Sequence, residues 1–216
     1  MARKKRVWYP GATFHVMSRG VRRSAIFSDT SDYLVFLEYI LMTRDKYPFK
    51  IHSICLMTNH FHFVIETGDY ELSKIMQKIL STYAEEYNHK YHLTGHLFEG
   101  RFVAQLIEDE RYFLEVSRYI HLNPVKAKMV DNPIDYEFSS YGIYVDDSDD
   151  NANKRGKNQK IFNILSKLVD TDRVLEAFHE KHREQYRLFV EEKISHEEHE
   201  QLIQKDIKEN ELWLPW

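Results

Sequence analysis

The chain has 216 residues, 43% of them hydrophobic and 30% charged, with 30 basic against 34 acidic side chains. That length accommodates one generous domain, or a domain with an appendage, and no apolar run is long enough to span a bilayer. The basic start, residues 1–6, leads into no signal-peptide core. Cytoplasmic residence and no membrane partner are therefore expected, and the single cysteine, Cys55, excludes an internal disulfide.

The net charge of −4 speaks against nucleic acid only if it is evenly spread. Residues 146–216 hold 12 basic and 17 acidic side chains, against 18 and 17 in residues 1–145. The acid excess lies in the tail, and the first part can carry a local basic surface. Arg6, at the end of the first cluster, and Arg19, Arg22 and Arg23 are placed to form one.

Taken in chain order, residues 13–17 alternate after Pro10-Gly11 and read as a first strand; Gly20 marks a turn. Asp29-Thr30-Ser31-Asp32 resembles a helix start, and Leu34, Leu37, Ile40 and Leu41 continue at helical spacing to Arg44, with Pro48 closing the segment. Residues 49–57 and 60–66 read as a strand pair joined by Thr58-Asn59, a two-residue turn without the usual glycine. Leu72, Ile75, Met76, Ile79, Leu80 and Tyr83 mark an amphipathic helix to about His92. Gly95 and Gly100 bracket a loop, and residues 101–107 read as a fourth strand. Glu108-Asp109-Glu110 suits a helix N-terminus, and the helix that follows is predicted over 111–122, limited by Pro124.

The order strand, helix, strand, strand, helix, strand is the β-α-β-β-α-β ferredoxin-like plan of the α+β class. Its antiparallel sheet would carry two helices on one face and the added helix on the other. Residues 1–145 are predicted to form that domain. Residues 146–160 read as a polar linker, and 161–216 as a helical extension, with helical spacing over 161–169 and 174–190 and a charged, solvated helix over 191–211.

The chemistry concentrates in two places. In His60-Phe61-His62 alternate side chains share a strand face. The two imidazoles then project together from Cα atoms roughly 7 Å apart, within reach of one metal ion, while Phe61 points into apolar packing. Tyr119 and Asn123, four residues apart, share a helix face. A helix across the open sheet face would bring them toward the histidines. Two imidazoles, an amide oxygen and a phenol are parts for phosphodiester chemistry. Mg²⁺ or Mn²⁺ would act as Lewis acid on a phosphate oxygen, and Tyr119 as the nucleophile, leaving a covalent phosphotyrosine and a 3′ hydroxyl. Tyr112, seven residues earlier, is the rival nucleophile. His96 and His121 lie near the site in sequence, but a hydrogen-bonded structural role is the plainer reading of each. His179, His182, His196 and His199 read as an exposed helix face. A structural zinc site is disfavoured, because such sites are closed by four protein ligands, often several of them thiolates.

The residues also resemble a known family. Tyr9-Pro10-Gly11-Ala12-Thr13-Phe14-His15-Val16, Ser18-Arg19-Gly20, Cys55-Leu56-Met57-Thr58-Asn59-His60-Phe61-His62, Gly95-His96-Leu97-Phe98-Glu99-Gly100-Arg101-Phe102 and Arg118-Tyr119-Ile120-His121-Leu122-Asn123-Pro124-Val125 follow one another in order, with Phe138-Ser139-Ser140-Tyr141 beyond. Together they are similar to the REP-associated tyrosine transposases, in the single-tyrosine branch of the HUH endonucleases. Thr58, where relatives often carry proline, is a mild departure.

The resemblance implies His60, His62 and Asn123 as metal ligands and Tyr119 as the nucleophile. It implies a ferredoxin-like domain that nicks and joins single-stranded DNA, often near a hairpin. Arg6, Arg19, Arg22, Arg23 and Arg101 are the candidate DNA contacts. The alternative is a non-cleaving single-stranded DNA-binding protein or regulator derived from such an enzyme. A homodimer is compatible with the sequence, which leaves open whose histidines Tyr119 serves.

Overall fold

The computed structural model describes residues 7–145, 159–178 and 182–192. Four strands, β1 (Thr13–Arg19), β2 (Phe49–Met57), β3 (His60–Thr67) and β4 (Val103–Ile107), form one sheet in the order β2-β3-β1-β4. Every pairing is antiparallel. With α1 (Thr30–Lys46) between β1 and β2 and α2 (Leu72–Tyr91) between β3 and β4, this is the ferredoxin-like plan expected from the sequence.

Local chemistry sets these elements. Asp29 caps α1 by accepting the backbone N–H groups of Ser31 and Asp32, while the Asp32 carboxylate accepts those of Ser28 and Asp29. Two donors on each side of this box are thus satisfied at the helix start. On β3, Phe61 and Phe63 turn to the face covered by α1 and α2, where the Phe36 ring lies 5.3 Å from Phe61 and 4.8 Å from Tyr83 between centroids. Alternation then puts His60 and His62 on the opposite face. There α3 (Glu110–Lys126) crosses the sheet, bonding Ser117 Oγ to Ser53 Oγ of β2 at 2.7 Å.

Three boundaries that bear on the site differ from expectation. β1 runs on to Arg19, and β4 begins at Val103, because Met17 is its last partner in β1; Arg101 therefore sits exposed in a loop. The third difference concerns α3, which runs through Pro124 to Lys126 instead of stopping at Leu122. Pro124 falls in the final turn, so its missing N–H forfeits a single bond to the carbonyl four residues back. The Ala127 N–H reaches Asn123 O, and the Met129 N–H reaches Pro124 O, closing the helix beyond it.

The remaining helices are α4 (Tyr141–Val145), α5 (Gln159–Leu168), α6 (Asp172–Leu175) and α7 (His182–Glu191). The helix expected over 174–190 is thus two helices, on either side of residues 179–181, which lie outside the described residues. Most of the expected linker, residues 146–158, and the charged stretch from 193 onward also lie outside them.

These later segments return to the sheet. The Leu56 N–H donates to Phe138 O, the Ser140 N–H to Ile54 O and the Asp170 N–H to Ile51 O, so the outer edge of β2 is paired by the chain itself. A buried polar chain secures α7. His121 Nδ1 and Ser117 Oγ each lie 2.7 Å from the Tyr186 hydroxyl, and His121 Nε2 lies 2.7 Å from Ser140 Oγ. The buried Arg118 donates to the carbonyl of Glu192 at 2.6 Å. No helix among the described residues is long and apolar enough to cross a membrane.

Candidate active site

The β2–β3 turn delivers His60 to the rim of the sheet and His62 one pleat inward, their ring centroids 5.1 Å apart. Thr58 and Asn59 make this turn without positive φ, since Arg22, Arg23, His92 and Lys128 are the non-glycine residues with that conformation among the described residues. In both rings Nδ1 is already engaged. His60 Nδ1 lies 2.7 Å from Asn59 Oδ1, and His62 Nδ1 lies 3.1 Å from His15 Nε2. The Nε2 atoms remain for other work.

Burial keeps these imidazoles neutral. It lowers His15 to about 4 and His60 to about 4, the latter assisted by the Arg19 charge, and puts His62 well below the ordinary histidine range, assisted by His60, His15 and Lys126. A neutral imidazole is the form that ligates a metal.

Tyr119 reaches this cluster from α3. Its ring stands edge-on to His62, with centroids 5.6 Å apart, and to His15 at 6.1 Å. The ammonium of Lys126, two turns further along the helix, lies 4.6 Å from the centre of the Tyr119 ring. One turn along, Asn123 donates its amide to the Tyr119 carbonyl at 2.9 Å, which leaves Asn123 Oδ1 as the atom able to meet a cation. Among the described residues, no three His, Cys, Asp or Glu side chains are grouped so as to hold a metal ion. The donor set therefore fits a divalent ion only if the two imidazoles are completed by an amide oxygen, as open, partly hydrated Mg²⁺ or Mn²⁺ sites allow.

His60, His62 and Tyr119 are thus together in one chain, and Asn123 follows one helical turn from Tyr119. Tyr112, the rival, is buried two turns back along α3. His121 belongs to the buried polar chain that holds α7, and burial lowers it to about 3. His96 is exposed. His182, expected on an exposed helix face, has its Nδ1 2.7 Å from the carbonyl of Leu175; His179, His196 and His199 lie outside the described residues.

The arginines divide. Arg19 stands opposite His60 in the β1–β3 register and donates to Glu99 through Nε at 3.0 Å and Nη2 at 2.5 Å. Together with Glu99, Arg101, Met17, Ser18, Gly100 and Val103 it lines a depression. Arg22 and Arg23 are exposed on the turn after β1, both with left-handed backbone. Arg6 lies outside the described residues.

Sequence reasoning passed over His15, Lys126, Asn59 and Glu99 as members of the site. All lie in or beside the stretches that carry the resemblance, but only strand register and the length of α3 place them.

Comparison with known proteins identifies the family. The family model described as "Transposase IS200 like" matches residues 9–123, more than half of the chain and every site residue expected from the sequence except Arg6. This chain belongs to that transposase family. It is 24% identical over 144 residues to the REP-associated tyrosine transposase of Escherichia coli, spanning 65% of this chain and 83% of that one. It is 26% identical over 124 residues to a Haemophilus influenzae protein that carries the same family name, spanning 51% and 70%. A solved REP-associated tyrosine transposase bound to a REP hairpin shares the fold, with a TM-score of 0.57 and 24% identity over 67% of this chain and 86% of that one.

Proposed function

We propose that this protein nicks and joins single-stranded, hairpin-forming DNA through a covalent 5′-phosphotyrosine on Tyr119. The observation that carries the reading is the edge-on seating of Tyr119 against His62 within one chain. The REP hairpin held by the solved relative suggests the shape of the substrate.

The residues divide the work. Tyr119 Oη attacks the scissile phosphorus and gives up its phenolic proton. The bond from phosphorus to the 3′ oxygen breaks, and that oxygen leaves with the electron pair and takes a proton. Phosphorus stays bonded to tyrosine, so the energy of the broken ester is retained for rejoining to another 3′ hydroxyl. His60, His62 and Asn123 would hold a divalent ion, which would supply Lewis acidity at a phosphate oxygen. Lys126, over the Tyr119 ring, adds positive charge where negative charge gathers. Arg22, Arg23 and Arg101 offer phosphate contacts, and Arg19 would exchange Glu99 for a phosphate; such contacts weaken as salt rises.

The test is a denaturing gel with purified protein and labelled hairpin strands, in Mn²⁺ or EDTA, for wild type and Tyr119→Phe. A metal-dependent adduct that disappears in the variant is expected. An adduct that survives in Tyr119→Phe rejects the nucleophile. Binding without any adduct moves the protein to the alternative, a non-cleaving binder of single strands.

A further inference from the structure

We propose that Asn59 is a positioning residue that fixes the proton of His60 on Nδ1, so that Nε2 presents its lone pair, and ties this ring to the Arg22–Arg23 turn. The inference rests on the metal-site reading above and deepens it.

The amide of Asn59 is held at both ends. Its Nδ2 lies 3.1 Å from the carbonyl oxygen of Arg23, and its Oδ1 lies 2.7 Å from His60 Nδ1. A carbonyl oxygen can only accept, so the amide nitrogen must face Arg23. The amide oxygen then faces His60, and it too can only accept. His60 Nδ1 must therefore be the donor. In a neutral imidazole one nitrogen carries the proton and the other the lone pair, so Nε2 is the ligating atom. The neighbouring pair lacks such a constraint. Between His62 Nδ1 and His15 Nε2 either ring can donate.

The carbonyl that orients Asn59 is itself placed by backbone conformation. Arg22 and Arg23 have φ of 53° and 61°, a region that strains a residue bearing a Cβ. The turn holds because it is stitched to the β2–β3 turn. Gly20 N–H donates to Asn59 O, and both Ile26 and Phe27 donate to Thr58 O. Gly20 lets the Arg22–Arg23 turn close on itself, since a Cβ there would stand 2.2 Å from the carbonyl oxygen of Ser24. The segment that offers two arginines to DNA and the ring that faces the metal thus share one amide.

Two measurements on the full chain test this. In metal-free protein with ¹⁵N-labelled histidine, long-range ¹H–¹⁵N correlations should report a single Nδ1–H tautomer for His60. Asn59→Ala should abolish that single form, whereas Asn59→Asp should keep it, because a carboxylate accepts the same proton. Binding of Mn²⁺, followed by the spectrum of the free ion, should weaken about 10–100-fold in Asn59→Ala and be kept in Asn59→Asp. Both variants lose the donor to Arg23, so amide exchange at Arg23 and Ser24 should quicken in both. An unchanged tautomer and unchanged Mn²⁺ affinity in Asn59→Ala would overturn the proposal. His60→Ala is the control: if it binds Mn²⁺ as wild type does, the metal-site reading fails, and the cation part of the proposal falls with it, while the tautomer result still decides the role of Asn59.

Discussion

At the scale of single residues, the site is built from imidazoles that resist protonation. Burial holds folded His15 and His60 at about 4 and His121 at about 3, with His62 also far down, while the unfolded chain takes up protons near pH 6.5. Between those values the unfolded state binds protons that the folded state refuses, so stability falls as pH falls from about 6.5 toward about 4. Urea midpoints taken across that window should drop steadily, and a flat profile would contradict the burial of these rings. Asp29 does not confuse the result, because its carboxylate, held down chiefly by Lys90, contributes its stability above the ordinary 3.8. His60 and His62 were legible in the sequence, because a period of two puts both on one face whatever else the chain does. His15 was not, because its meeting with His62 depends on the β1–β3 register. Lys126 was hidden by Pro124: only when α3 continues does a residue seven places after Tyr119 return to the same side.

At the scale of elements, the position of α3 depends on a helix far along the chain. The Tyr186 hydroxyl of α7 serves both His121 and Ser117. Tyr186→Phe removes it and leaves buried polar atoms short of a partner, at a cost of about 1–3 kcal/mol, which equilibrium urea unfolding should register as a lower midpoint. Asp29→Ala, which strips the cap of α1, should cost about 0.5–2 kcal/mol and be read in the same way. The start of α1 was legible because a cap is local chemistry, written in four consecutive residues. The break between α6 and α7 was not, because apolar spacing continues across it and says nothing of where a chain turns back to pack.

At the scale of the whole molecule, the ferredoxin-like plan was legible from the order of elements, whereas the closing of the β2 edge was not, since no periodicity announces that residues 138–140 and 170 will pair with it. That edge is an open template without them. A chain ended at Val145 keeps the pairing of residues 138–140 but loses the Asp170–Ile51 pairing and the α7 anchor, which uncovers part of that edge, and it is expected to self-associate; light scattering on a size-exclusion column should give a mass that rises with concentration, unlike the full chain. The seating of Tyr119 against its own His62 has a kinetic consequence. If one polypeptide supplies both nucleophile and imidazoles, the turnover of each protein molecule is indifferent to dilution. A mixture of Tyr119→Phe with His62→Ala stays silent, because neither damaged copy can lend the other what it lacks.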